Sequence, residues 1–199
     1  MAERFDLARQ TQNYTIQLFL KISPLKKGAE VSQVKELQAV EFIDPEMLSQ
    51  VSNSGNANSH LEELGATIKV SSADIDASIQ EGFDSNTMME GPWHFPISSA
   101  PGKLGNTVII GHRFAEVPPS TNTFYNLDKI KVGDKIYVEQ ENGNFTYTVV
   151  QRKVVDKHDR SVLAPTNDHR ITLITCHPLW TSDQRLVVIG VLDKIYRNI

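Results

Sequence analysis

The chain contains one cysteine, Cys176, at the end of the apolar run Ile171-Thr172-Leu173-Ile174-Thr175-Cys176. His177-Pro178 follows and stops the run, because proline cannot extend a β-ladder. A thiol at such a strand margin suits nucleophilic attack on a carbonyl; the competing reading is a small buried hydrophobe. A second apolar run, Val108-Ile109-Ile110-Gly111, ends in His112, with Arg113 next. With an ordinary pKa of about 6.5, an imidazole can take and return a proton near neutrality; a hydrogen-bonded edge residue is the alternative. Arg185 opens a third run, Leu186-Val187-Val188-Ile189. Its guanidinium offers fixed donors to a developing oxyanion, or else a surface ion pair to an acid such as Asp183. Taken together, the three types supply a nucleophile, a proton carrier and an anion donor, each at the margin of an apolar strand.

The elements that must position them begin after residue 60. Composition is that of an ordinary globular protein: 199 residues, 40% hydrophobic, 22% charged, net charge −4. That balance offers no basic field for a phosphate backbone, so no nucleic-acid partner is expected. One cysteine excludes an intramolecular disulfide and any multi-cysteine zinc site. The apolar stretch Tyr14 to Leu20 is too short to cross a bilayer, so membrane attachment is expected only through an anchor absent from this chain. Apolar positions from Val31 to Val51 recur near the helical period, with Asp44 as N-cap and Pro45 opening a second helix. Ser52 to Ser59 is small and polar, the composition of a linker. Residues 1–60 are therefore assigned to a helical appendage and 61–199 to a catalytic domain.

The domain reads as all-β. Strands are predicted at Ala66–Val70, Ile75–Ile79, Thr107–His112, Lys135–Gln140, Phe145–Val155, Ile171–Cys176 and Arg185–Leu192. Glu141-Asn142-Gly143-Asn144 marks a hairpin between the fourth and fifth of these. Such a set closes into a barrel or a sandwich.

In wording and order these residues resemble the sortase family of bacterial cysteine transpeptidases. Thr172-Leu173-Ile174-Thr175-Cys176 matches that family's Thr-Leu-x-Thr-Cys motif. The similarity also takes in Pro101-Gly102-Lys103-Leu104-Gly105-Asn106, Gly111-His112-Arg113, Val132-Gly133-Asp134-Lys135-Ile136 and Arg185-Leu186-Val187-Val188. The resemblance implies a closed eight-stranded β-barrel with short helices. It also implies Cys176 as nucleophile, His112 as acid and base, and Arg185 at the oxyanion. The expected partners are a sorting-signal peptide of LPxTG or LAxTG type, cut after its Thr, and an amine of a cell-wall precursor or pilin, at the outer face of a bacterial membrane. Cys176-His177-Pro178 and the short flanking connections resemble class E first and class D second. Asp44-Pro45 is followed by Glu46, so the lid motif of class C enzymes is not matched.

Thr175, His94 and Trp180 are further candidates for the peptide groove, with core packing the competing role for Trp93 and Trp180. Glu116, Asp156 and Asp159 lack calcium-loop spacing, and neither metal nor cofactor is expected. Two other readings stay open on the residues alone: a β-barrel cysteine endopeptidase releasing its acyl group to water, and a non-catalytic surface-binding module.

Overall fold

A computed structural model describes residues 65–82, 87–114, 120–141, 143–179 and 182–196. The expected N-terminal helices, the Ser/Asn linker and Trp180 lie outside these described residues. Eight strands run in chain order: β1 (Thr67–Val70), β2 (Ile75–Ser78), β3 (Trp93–His94), β4 (Gly105–Ile110), β5 (Lys135–Gln140), β6 (Gly143–Asp156), β7 (His169–His177) and β8 (Gln184–Tyr196). Short helical turns separate them, α1 at Thr87–Glu90 and 3-10 turns at Ser71–Ala73, Leu127–Lys129 and Arg160–Leu163.

The strands form one sheet in the order β2-β1-β5-β6-β8-β7-β4-β3. Its two edges meet where Gln80 bridges to Trp93: the Gln80 amide donates to the Pro92 carbonyl at 2.7 Å and the His94 amide to the Gln80 carbonyl at 2.9 Å. Closure removes the exposed ladder groups that an open edge would leave. The curvature is helped by two irregularities in the long β6–β8 pairing, after Thr146 and after Val149, since an extra residue bends a strand.

Seven strands fall where the apolar runs predict them. The two-residue β3 carries too little pattern to be read in sequence. β4 begins two residues earlier than expected and ends two residues before His112. At its start the Gly105 amide donates to the Asp168 carbonyl at 2.8 Å; at its end the His112 carbonyl turns aside to accept the Phe124 amide at 2.8 Å. The glycines of the preceding loop have steric reasons. Gly102 has φ +74°, and a Cβ there would lie 2.0 Å from the Phe145 ring; Gly105 has φ +119°, and a Cβ would meet the Ser99 hydroxyl at 2.1 Å.

One buried cluster, with Ile68, Ile109, Ile136, Val138, Leu173 and Val188 among its members, fills the barrel. A second, with Trp93, Phe95, Val108, Ile110, Val162, Ile174, Val187 and Ile189, covers the other face of β4, β7 and β8. Alternation assigns the clusters: odd and even positions of the same three strands go to opposite faces.

Candidate active site

The strand register sets the candidate residues side by side. β4 and β7 run parallel with Ile110 beside Ile174, and the Gly111 amide continues the ladder to the Ile174 carbonyl at 3.0 Å. His112 follows Gly111, just past the last paired residues of β4 and β7. On the other side of β7, Cys176 pairs directly with Arg185 of β8. Strands lie about 4.8 Å apart, so Cys176 and Arg185 are immediate neighbours across β7 and β8.

The period of two puts their side chains on one face, the face of Ile110, Ile174 and Val187, which form the next row down. All three are buried: Cys176 is 1% exposed, Arg185 2% and His112 4%. The strand-end position of Cys176 suggests a more open rim than this. β7 in fact continues through His177, which pairs with Gln184, so the thiol lies inside the ladder rather than at its tip. Arg185 Nη1 donates to the Ser182 and Gln184 carbonyls, both at 2.8 Å, which fixes the plane of the guanidinium.

Two further motif residues act as supports, and Thr175 does so instead of lining the groove as its sequence position suggests. Thr175 faces away from Cys176, is fully buried, and donates its hydroxyl to the Gly111 carbonyl at 2.7 Å, so it fastens β7 to the segment bearing His112. Arg113 also turns to the other face and pairs with Asp128 at 2.9 Å. Together with the Phe124 amide on the His112 carbonyl, these bonds hold the histidine's backbone from two directions.

His94 is not brought to this row. It pairs with Ile109 and so faces away from Ile110 and His112. Its Nδ1 lies 2.7 Å from Glu81 Oε1, and its Nε2 lies 3.0 Å from Ser98 Oγ and 3.1 Å from the Ser99 carbonyl. By distance alone Ser98, His94 and Glu81 imitate a hydrolytic triad. The serine is not a nucleophile, because its hydrogen is committed to the Phe95 carbonyl at 2.7 Å and its oxygen also accepts the Val108 amide at 3.1 Å. Trp93 is fully buried in the outer cluster, with Nε1 donating to the Gly82 carbonyl at 2.8 Å, in keeping with a packing role. Among the described residues no group of three or more His, Cys, Asp or Glu side chains is arranged to hold a metal ion.

Comparison with known proteins agrees with this geometry. The sortase domain family model matches residues 68–193. Sortase A of Listeria monocytogenes is 30% identical over 174 residues, spanning 87% of this chain and 75% of that protein. Its crystal structure superimposes with a TM-score of 0.62 over 69% of this chain and 92% of that one. Sortase D of Bacillus subtilis is 24% identical over 71% of this chain and 70% of its own. A lid mutant of sortase A from Corynebacterium diphtheriae, 27% identical, aligns with a TM-score of 0.63 over 82% of this chain and 94% of that one. The eight-stranded fold, the family model and the extent of these matches agree, and the chain belongs to the sortase family of cysteine transpeptidases.

Proposed function

We propose that Cys176, His112 and Arg185 carry the transpeptidase reaction, and that the substrate is a sorting signal of LPxTG or LAxTG type. The observation supporting this is the pairing of Cys176 with Arg185 across β7 and β8, beside the end of β4 that leads into the buried His112. In the first half-reaction the sulfur bonds to the threonine carbonyl carbon and the peptide C–N bond breaks. His112 gives its proton to the departing amine, and the acyl group stays on Cys176 as a thioester. In the second, an amine of a cell-wall precursor or pilin loses its proton to His112 and bonds to the same carbon, and the sulfur leaves. Arg185 steadies the oxyanion in both steps. Its guanidinium is already oriented before substrate arrives, which is how a donor contributes most to a transition state.

The finer assignments rest on the same reading. The signal and acceptor are those of a class E-like or class D-like enzyme, residues 61–199 form the catalytic unit, and the enzyme works at the outer face of the membrane. Residues 1–60 regulate access to Cys176. Equal turnover by the full chain and by a chain starting at Leu61 would remove this idea. The near-complete burial of the thiol is the observation that favours a non-catalytic binding surface instead. One experiment separates the two: incubation with a sorting peptide should add the acyl mass to the wild-type chain and nothing to Cys176→Ala. Absence of the adduct, together with resistance of the folded thiol to mild alkylation at neutral pH, would overturn the catalytic assignment.

A further inference from the structure

The outer face of β4, β7 and β8 is ordered in rows. Below His112–Cys176–Arg185 lies Ile110–Ile174–Val187, then Val108–Thr172–Ile189, and Asn106 stands one step lower on β4. Over these rows folds the connection from β6 to β7, whose 3-10 turn Arg160–Leu163 places Val162 in the same buried cluster as Ile110, Ile174 and Val187. The turn thus forms a wall over the lower rows of the face that carries the thiol.

Two buried polar side chains hold that wall. Asn106, 4% exposed, donates through Nδ2 to the Val162 carbonyl at 3.0 Å and the Ala164 carbonyl at 3.2 Å. Its Oδ1 accepts the hydroxyl of Thr172, 1% exposed, at 2.7 Å. Both amide hydrogens and the amide oxygen are engaged, so the side chain has one orientation. The two carbonyls it binds bracket the end of the 3-10 turn, and the bond from Thr172 ties them to the strand that bears the thiol.

We infer that Asn106 and Thr172 are positioning residues for peptide binding, acting through the β6–β7 connection they clamp. The inference rests on the reading of Cys176 as nucleophile. It gives the first threonine of the Thr-Leu-x-Thr-Cys motif and the asparagine of Leu104-Gly105-Asn106 one shared task, two turns of the strand pleat away from the reacting atoms. Neither touches substrate. Their removal loosens the wall and leaves the row of Cys176, His112 and Arg185 in register.

The test is steady-state kinetics on the full chain with a sorting peptide, comparing Asn106→Ala, Thr172→Val and Thr172→Ser. The first two should raise the peptide KM about tenfold, as expected for losing an interaction used equally in ground and transition states, while kcat stays within about twofold of wild type. Thr172→Ser keeps the hydroxyl and should restore the wild-type KM. Backbone amides of 160–164 should exchange faster in Asn106→Ala, and the alkylation rate of Cys176 should not change. A wild-type KM in both Asn106→Ala and Thr172→Val would overturn the clamp, as would a fall in kcat at constant KM. Neither result touches the assignment of Cys176, which is tested separately by the acyl adduct and by ligation in Cys176→Ala.

Discussion

The same three strands, β4, β7 and β8, present two unlike faces. Toward the barrel they offer Ile109, Ile171, Leu173 and Val188, all fully buried and apolar. On the opposite face the apolar residues Val108, Ile110, Ile174 and Val187 are interleaved with Asn106, Thr172, His112, Cys176 and Arg185, equally buried. A buried polar group is costly unless its hydrogen bonds are made, so each one on the outer face needs a specific partner at a specific register. The inner face is mostly apolar, with Thr107 and Thr175 its buried polar exceptions on these strands. Stability is thus concentrated inside and chemistry outside, on alternate residues of one ladder.

Substitutions should separate the two faces. The largest effect is expected for Arg185→Lys: a single ammonium cannot reproduce the planar donors, and loss of one oxyanion contact costs about 100-fold or more in kcat. The melting temperature should barely move. A variant with wild-type kcat would remove Arg185 from the reaction. The converse substitution, Leu173→Ala, empties a fully buried site in the barrel and should cost about 2–5 kcal/mol in denaturant unfolding. Its kcat at temperatures where it stays folded should match wild type. A loss of activity greater than the folded fraction explains would show that the faces are coupled.

Thr175→Val tests the seam between the faces. It removes the hydroxyl that binds the Gly111 carbonyl and leaves that acceptor without its side-chain donor, at a cost of about 1–3 kcal/mol. Because Gly111 precedes His112, kcat should fall several-fold while the peptide KM holds, the opposite signature to that expected of Thr172→Val. If the two threonines gave the same kinetic pattern, the division of labour between carrying the histidine and holding the wall would be lost.

How much of this was legible beforehand differs between the faces for a physical reason. Short apolar runs between Gly, Pro, Asn and Asp breaks mark seven of the eight strands, since strands buried on one or both faces carry a high density of apolar residues. β3 was missed because two residues cannot show a period. The candidate residues Cys176, His112 and Arg185 are picked out by the family motifs and their shared strand-end setting. That Cys176 lies inside its strand and is nearly sealed was not, because burial depends on what packs over it. His94 reads as groove-lining from its aromatic neighbours, yet the register turns it to the other face, where Glu81 and Ser98 engage it. Partnerships such as Asn106 with Val162, 56 residues apart, leave no local trace, because side-chain hydrogen bonds carry no period.

The smallest effect concerns the exposed end of the wall that Asn106 holds from beneath. Asp159 caps the 3-10 turn Arg160–Leu163, its Oδ1 accepting the Ser161 amide at 2.9 Å. The Ser161 hydroxyl and then its backbone amide favour the ionised carboxyl and hold it below the usual carboxylate range. A carboxyl whose folded pKa is depressed contributes its stabilisation in full above the unfolded value, about 3.9, and loses it as pH falls through the folded value. The Ser161 amide resonance should therefore keep its position from neutral pH to about pH 4 and move only below it, with a midpoint under that of an unfolded aspartate. In Asp159→Ala the resonance should not titrate, and the peptide KM should rise by less than about twofold, because an exposed cap contributes little beside the buried Asn106 clamp. A larger rise in Asp159→Ala than in Asn106→Ala would place the control of the wall at its solvent end and reverse the ranking of buried over exposed contacts on this face.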